Sequence, residues 1–187
     1  MIDLHTHTTV SDGTLTPPEL VAHAAGAGLR TLAITDHDTT DAIAPAAAAA
    51  GAHGITLIAG VELGTEDERG EHDILGYFVD VADAPFQALL ATIRAHRHVR
   101  AVAIVERLRA AGAPLAIDDV LALSDGGAIG RPHVARALVG IGWAEDVSDA
   151  FRRYLGAGCP AHVGRYRLSP AEACAAIRAA GGVPVLA

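Results

Sequence analysis

Aromatic residues make up only 4% of the 187-residue chain, so the core has to be assembled from alanine, valine, leucine and isoleucine. Cysteine is scarcer still. Cys159 and Cys174 are the only two, in a chain too large to need disulfide stapling, and this predicts a reducing, cytoplasmic setting. No apolar run reaches the roughly 18 residues that span a bilayer, and no basic segment precedes a long apolar one, so no membrane partner is expected. Positive charge is also short. With 14 basic against 22 acidic residues the formal charge is −8, which argues against a broad grip on duplex nucleic acid. A single nucleotide or a strand end stays within reach, because bound divalent cations would make the local field positive whatever the sum.

What is present begins at the first residue. MIDLHTHTTVSDG places His5 and His7 one residue apart on an apolar opening run, followed by a turn carrying Ser11, Asp12 and Gly13. Side chains two apart on a strand share a face, so both imidazoles can reach one ion while Thr6 points away. Asp12 adds an anionic oxygen to the same neighbourhood. Taken alone, the pair also reads as two solvated strand histidines.

Beyond that strand, Thr16-Pro17-Pro18-Glu19 is a capping box that starts a helix ending near Gly28. The run 31–35 (TLAIT) reads as a buried strand leading into Asp36-His37-Asp38, 41–50 as an alanine-rich helix, and 55–59 (ITLIA) as a strand ending in Gly60-Val61-Glu62. Strand and helix alternating at this spacing predict an α/β fold with a parallel sheet, whose ligands collect at the carboxyl ends of the strands. A fourth strand is expected over 72–79 after a charged turn containing Glu66, Asp67, Glu68, Arg69 and Glu71.

From residue 85 to Gly112 the pattern is one long helix, followed by helical pieces near 118–123, 133–139 and 147–155, separated by Asp125-Gly126-Gly127 and by 156–158. The expected organisation is an α/β core over 1–83, a helical insertion over 84–161, and the core resumed over 162–187. Ser169-Pro170-Ala171-Glu172 opens a further capped helix before the apolar run 183–187 (VPVLA). Because the chain stops on that strand without a turn or polar cap, a fragment truncated at the C-terminus is expected.

The strand ends gather His5, His7, Asp12, Asp36, His37, Asp38, Glu62 and His72, a mixture of imidazole and carboxylate with no thiolate. Such donors suit manganese, iron or zinc in a catalytic site. Glu62, between histidines, is the candidate to bridge two ions, the usual apparatus for phosphoester hydrolysis. His23, His53, His96, His98 and His162 read as surface or packing residues. Gly130-Arg131-Pro132-His133 lies at a helix start, where Arg131 suits phosphate, although the same tetrapeptide also reads as an ordinary helix N-terminus. Arg165 and Arg167 beside Tyr166 read as a solvated loop that could face a nucleotide.

The motifs DLHTHTTVSDG, ITDHDT, GVELG, HDILGY and GRPHVARAL resemble those of the polymerase and histidinol phosphatase (PHP) family, the last being similar to the branch of bacterial 3′,5′-nucleoside bisphosphate phosphatases, some of which trim RNA from the 5′ end. The resemblance implies a distorted, TIM-like β/α barrel holding two or three divalent ions, manganese foremost. It implies His5, His7 and Glu62 at one ion, Glu62 and His72 at a second, Asp12 and His37 at a third, and Asp36 and Asp38 just outside them. Arg131 and His133 would contact the substrate phosphate. No side chain would act as nucleophile, the attack coming from a hydroxide held by the metals. The expected substrates are small nucleotides or oligonucleotide 5′ ends. A histidinol-phosphate phosphatase or a non-catalytic PHP module are the alternatives.

Overall fold

Three short apolar runs lie side by side as parallel strands: β1 (Ile2–Asp3), β2 (Thr31–Ile34) and the start of β3 (Thr56–Asp67), with Ile2 opposite Thr31 and Thr31 opposite Thr56. They come from a computed structural model that describes residues 1–124, 127–164 and 166–187. The predicted linker residues Asp125 and Gly126, and Arg165, lie outside the described residues.

Helices α1 (Pro17–Gly26) and α2 (Ile43–His53) make the crossovers. The capping box of α1 forms as expected: the Thr16 N–H donates to Glu19 Oε2 at 2.9 Å and its hydroxyl to the same oxygen at 2.6 Å. Val21, Leu32, Ile34, Ile43 and Ala46 close the core between these helices and the sheet.

The sheet departs from the expected parallel pattern after residue 59. β3 runs on to Asp67 and folds back through a two-residue turn into β4 (Gly70–Tyr77), antiparallel to it; β5 (Val183–Leu186) then joins β4, again antiparallel. The order is β1-β2-β3-β4-β5. Gly60 marks the change of partner. A Cβ there would fall 2.7 Å from the carbonyl oxygen of Ile34 and 3.1 Å from that of Gly76, so only glycine lets neighbours approach from both sides.

The charged stretch 66–71, expected as a turn, is therefore mostly strand. Two of its acidic side chains face Arg167, whose guanidinium pairs with Glu66 at 3.0 Å and with Glu71. Arg167 does not lie in a solvated loop, since its side chain is 7% exposed.

Met1–Ile93 with Arg167–Ala187 form one compact unit, which contains all five strands, α1, α2 and α7 (Pro170–Ala179). Arg94–Tyr166 form a second. Helix α3 (Ala84–Ala110) begins in the first unit, where Phe86 and Leu90 pack with Val61, Leu63 and Ile177. Its remainder packs in the second unit with α4 (Ile117–Ala122), α5 (Arg131–Gly140), α6 (Val147–Ala150) and a π-helical turn at Phe151–Leu155, around Ile104, Leu108, Val134, Leu138 and Leu155. No described helix is long and apolar enough to cross a membrane.

Candidate metal centre

Beyond its last ladder residue each parallel strand continues as extended chain, and these continuations carry the polar side chains. The Thr35 N–H donates to the Thr6 carbonyl at 2.9 Å, the Glu62 N–H to Asp36 at 3.1 Å, and the Asp38 N–H back to Glu62 at 3.0 Å. Residues 5–8, 35–38 and 60–62 thus lie in register at the carboxyl end of the sheet, the place where parallel strands gather ligands. Thr6 turns toward β2, its hydroxyl donating to Ala33 at 2.6 Å, which leaves His5 and His7 on the opposite face as the alternation predicts.

Three imidazoles converge on one carboxylate oxygen. Glu62 Oε2 lies 2.9 Å from His7 Nε2, 3.1 Å from His5 Nε2 and 3.5 Å from His37 Nδ1, with the Glu62 side chain only 5% exposed. On the other side, Asp12 lies 3.5 Å from His7 Nδ1 and 3.7 Å from His37 Nε2. Two overlapping groups result, His5-His7-Glu62 and His7-Asp12-His37, each with its donor atoms within 4.8 Å of one another.

These separations fit a cation. Ligands about 2.1 Å from a metal stand roughly 3.0–3.4 Å apart in octahedral or tetrahedral arrangement. Imidazole and carboxylate together suit a divalent transition ion.

The electrostatics agree. Burial alone would raise Glu62, but the hydrogen bond from His7, the nearby His37 and the hydrogen bond from His5 hold it down at about 2. For His7, burial disfavours the charged ring, and Glu62, Asp12 and Asp36 outweigh it, raising the pKa above the ordinary value.

The buried carboxylate of Asp36 holds the loop. It accepts from the Thr8 N–H at 2.7 Å, the Thr8 hydroxyl at 2.7 Å and the Ser11 hydroxyl at 2.5 Å. Ser11 Oγ in turn stands 3.4 Å from His7 Nδ1 and orients the ring; with a cation bound, a proton kept on Nδ1 would leave the Nε2 lone pair to the ion. Gly13 packs so closely that a Cβ would lie 2.4 Å from the carbonyl oxygen of His7. Asp38 is buried with a left-handed backbone, φ 55°.

His5, His7, Asp12, His37 and Glu62 are thus brought together. His72 is not in either group: on β4 its Nε2 lies 3.0 Å from Asp67. Arg131 and His133 belong to the second unit. There Arg131 lies over the Phe151 ring at 5.5 Å, and His133 is buried, its Nδ1 accepting from the Gly130 N–H at 3.1 Å as the cap of α5. Sequence reasoning left out Ser11 and Thr8 as supports. Their only signal was a pair of small hydroxyl residues between ligands.

Residues 3–157 match the PHP domain family. The chain belongs to that family. It is 45% identical over 186 residues to a 5′-3′ exoribonuclease of Haemophilus influenzae, covering 99% of this chain and 67% of that protein. It is 40% identical over 187 residues to a 3′,5′-nucleoside bisphosphate phosphatase of Chromobacterium violaceum, covering 100% and 66%. A crystal structure from Bifidobacterium adolescentis, assigned as a metal-dependent phosphoesterase, superposes with a TM-score of 0.94 at 38% identity, over 99% of this chain and 65% of that one. This PHP chain therefore spans about two thirds of the length of the relatives it matches, and its α/β fold is that of the distorted PHP barrel.

Proposed function

We propose that this PHP domain is a metal-dependent phosphoesterase that removes phosphate from small nucleotides, 3′,5′-nucleoside bisphosphates, or acts at the 5′ ends of oligoribonucleotides. The observation that carries the reading is the pair of donor groups overlapping at His7. Relatives named for these two activities, 45% and 40% identical to the chain, support the substrate class.

His5, His7 and Glu62 would hold one divalent ion, and Asp12 and His37, beside the same His7, a second; manganese is the ion we assign, with iron and zinc compatible with the donors. When bound, such cations neutralise charge on phosphoryl oxygens and acidify water, which removes the need for a side-chain nucleophile. The chain's own residues set the geometry. Ser11 fixes the His7 ring, Asp36 fixes Ser11, and Gly13 lets the loop close against the backbone of His7. Arg131 offers a permanent, forked charge for a phosphate from the second unit. Free Cys159 and Cys174 are consistent with the reducing cytoplasm we assign as its setting.

The deciding test is manganese-dependent phosphate release from adenosine 3′,5′-bisphosphate, with adenosine 5′-monophosphate and histidinol phosphate alongside. Preference for the bisphosphate is expected. Preference for histidinol phosphate would replace this reading with the histidinol-phosphatase one, and release from none with metal bound would leave a non-catalytic module.

A further inference from the structure

The charge of the chain is divided unequally. Arg94–Tyr166 hold ten arginines and seven acidic residues, a formal +3, whereas the rest of the chain, four arginines against fifteen acidic residues, stands at −11. The overall −8 hides this. The chain has no lysine, so each of its permanent positive side chains is an arginine, which both pairs with phosphate as a fork and stacks on planar groups.

Within the positive unit one face is organised. Arg97, Arg100 and Arg131 line a single cleft with Ile104 and Ile129. On the helical wheel Arg100 sits beside His96, one turn away along α3. Residues His162 and Val163 are pinned to this side of the helix: Arg107 donates to the His162 carbonyl, and Arg100 Nε to the Val163 carbonyl at 2.8 Å. Tyr166 stacks on His96, with ring centroids 4.4 Å apart and planes 12° from parallel. Tyr166 remains 46% exposed, in a chain with seven Phe, Tyr and Trp residues in all.

We propose that the stacked His96–Tyr166 pair is a nucleobase platform by which the Arg94–Tyr166 unit binds single-stranded RNA, the net positive charge of that unit attracting the phosphate backbone. An exposed, pre-aligned aromatic face accepts any base, because every base has a π-face; the arginine excess of the unit supplies the charge that attracts the strand. Both parts lie in one unit and need no metal. The choice of RNA rests on the phosphoesterase reading. The platform adds that strands longer than one nucleotide are held more tightly than a mononucleotide.

The test measures fluorescence anisotropy of a 5′-phosphorylated, 3′-fluorescein pentaribonucleotide with the full chain in EDTA, with displacement by adenosine 3′,5′-bisphosphate as the one-nucleotide comparison. One base stack is worth about 1–3 kcal/mol, so Tyr166→Ala should weaken pentamer binding about tenfold, well beyond any change for the bisphosphate. Tyr166→Phe keeps the π-face and should stay within about twofold of the wild type. Arg97→Ala should lower the slope of log affinity against log salt by about one. Equal pentamer affinity in wild type and Tyr166→Ala overturns the proposal, as does equal weakening by Tyr166→Ala and Tyr166→Phe, or an equal loss for pentamer and bisphosphate. Since no metal is present, absence of phosphate release in the separate manganese assay counts against the phosphoesterase reading and leaves this measurement standing.

Discussion

The hydroxyl of Ser11 donates to the buried carboxylate of Asp36 at 2.5 Å, tying the loop that carries three candidate ligands to the end of β2. Asp36 also takes both donors of Thr8, so its removal leaves three donors without their acceptor in a dry place. Asp36→Ala should cost about 3 kcal/mol of stability, a fall in melting temperature of roughly 6–12 °C for a chain of this size. Because Ser11 also faces His7, the same variant should weaken manganese binding about 10–100-fold, as read by calorimetric titration. Ser11→Ala, which removes one donor and no charge, should keep the stability within about 1 kcal/mol and still lose metal affinity.

Glu66 and Glu71 stand directly opposite one another across β3 and β4, an arrangement that repels unless something lies between. Arg167, nearly buried, pairs with both. Arg167→Ala should therefore destabilise by about 1–3 kcal/mol, more than an exposed ion pair is worth, since two facing carboxylates lose their shared cation. Adding Glu71→Gln should recover much of the loss in a urea titration. Lack of recovery would show that packing of the arginine stem, not charge, is what Arg167 supplies.

This hairpin also shows where the sequence was legible and where it was not. Both capping boxes, at Thr16 and Ser169, were readable because their partners lie three residues apart, and both form. That His5, His7, Asp12, His37 and Glu62 gather as candidate ligands was readable because parallel strands deliver the residues at their carboxyl ends to one edge. The second half of β3 was not. Glu66 and Glu71 look like parts of a turn until Arg167, about a hundred residues on, neutralises them, and no local pattern announces such a partner. The same limit hid the Tyr166 stack, since His96 meets a residue seventy positions away.

Gly13 provides a steric test of the loop. A Cβ at that position would lie 2.4 Å from His7 O and 2.8 Å from Thr8 N, both backbone atoms that cannot swing aside. Gly13→Ala should push the His7 backbone and cut manganese affinity more than about tenfold. Gly26, at the end of α1, has nothing within 4 Å of its notional Cβ, and Gly26→Ala should be neutral or stabilise by up to about 1 kcal/mol through helix propensity. A pair of titrations under identical conditions checks both.

In the metal-free protein, Glu62 and His7 give the candidate centre its own pH dependence. Glu62 is held at about 2 against an ordinary 4.5, so its contribution is present above pH 4.5 and lost as pH falls from there toward 2. His7 is raised above its ordinary 6.5, so its contribution is complete below 6.5 and is lost as pH rises through its folded value. Both contributions describe one contact, the 2.9 Å pair between His7 Nε2 and Glu62 Oε2, and count once. In chelator, the part of stability that depends on this pair should be greatest between about pH 4.5 and 6.5 and decline on either side. Its full loss toward pH 2 is worth about 3 kcal/mol. Glu62→Gln removes the charge and should flatten that profile, which a series of melting curves from about pH 2 to 9 on both proteins will show. With manganese bound, the high-pH decline should vanish, because neutral imidazole is the form that holds a cation, and the stabilisation should instead fail as the histidines protonate at low pH.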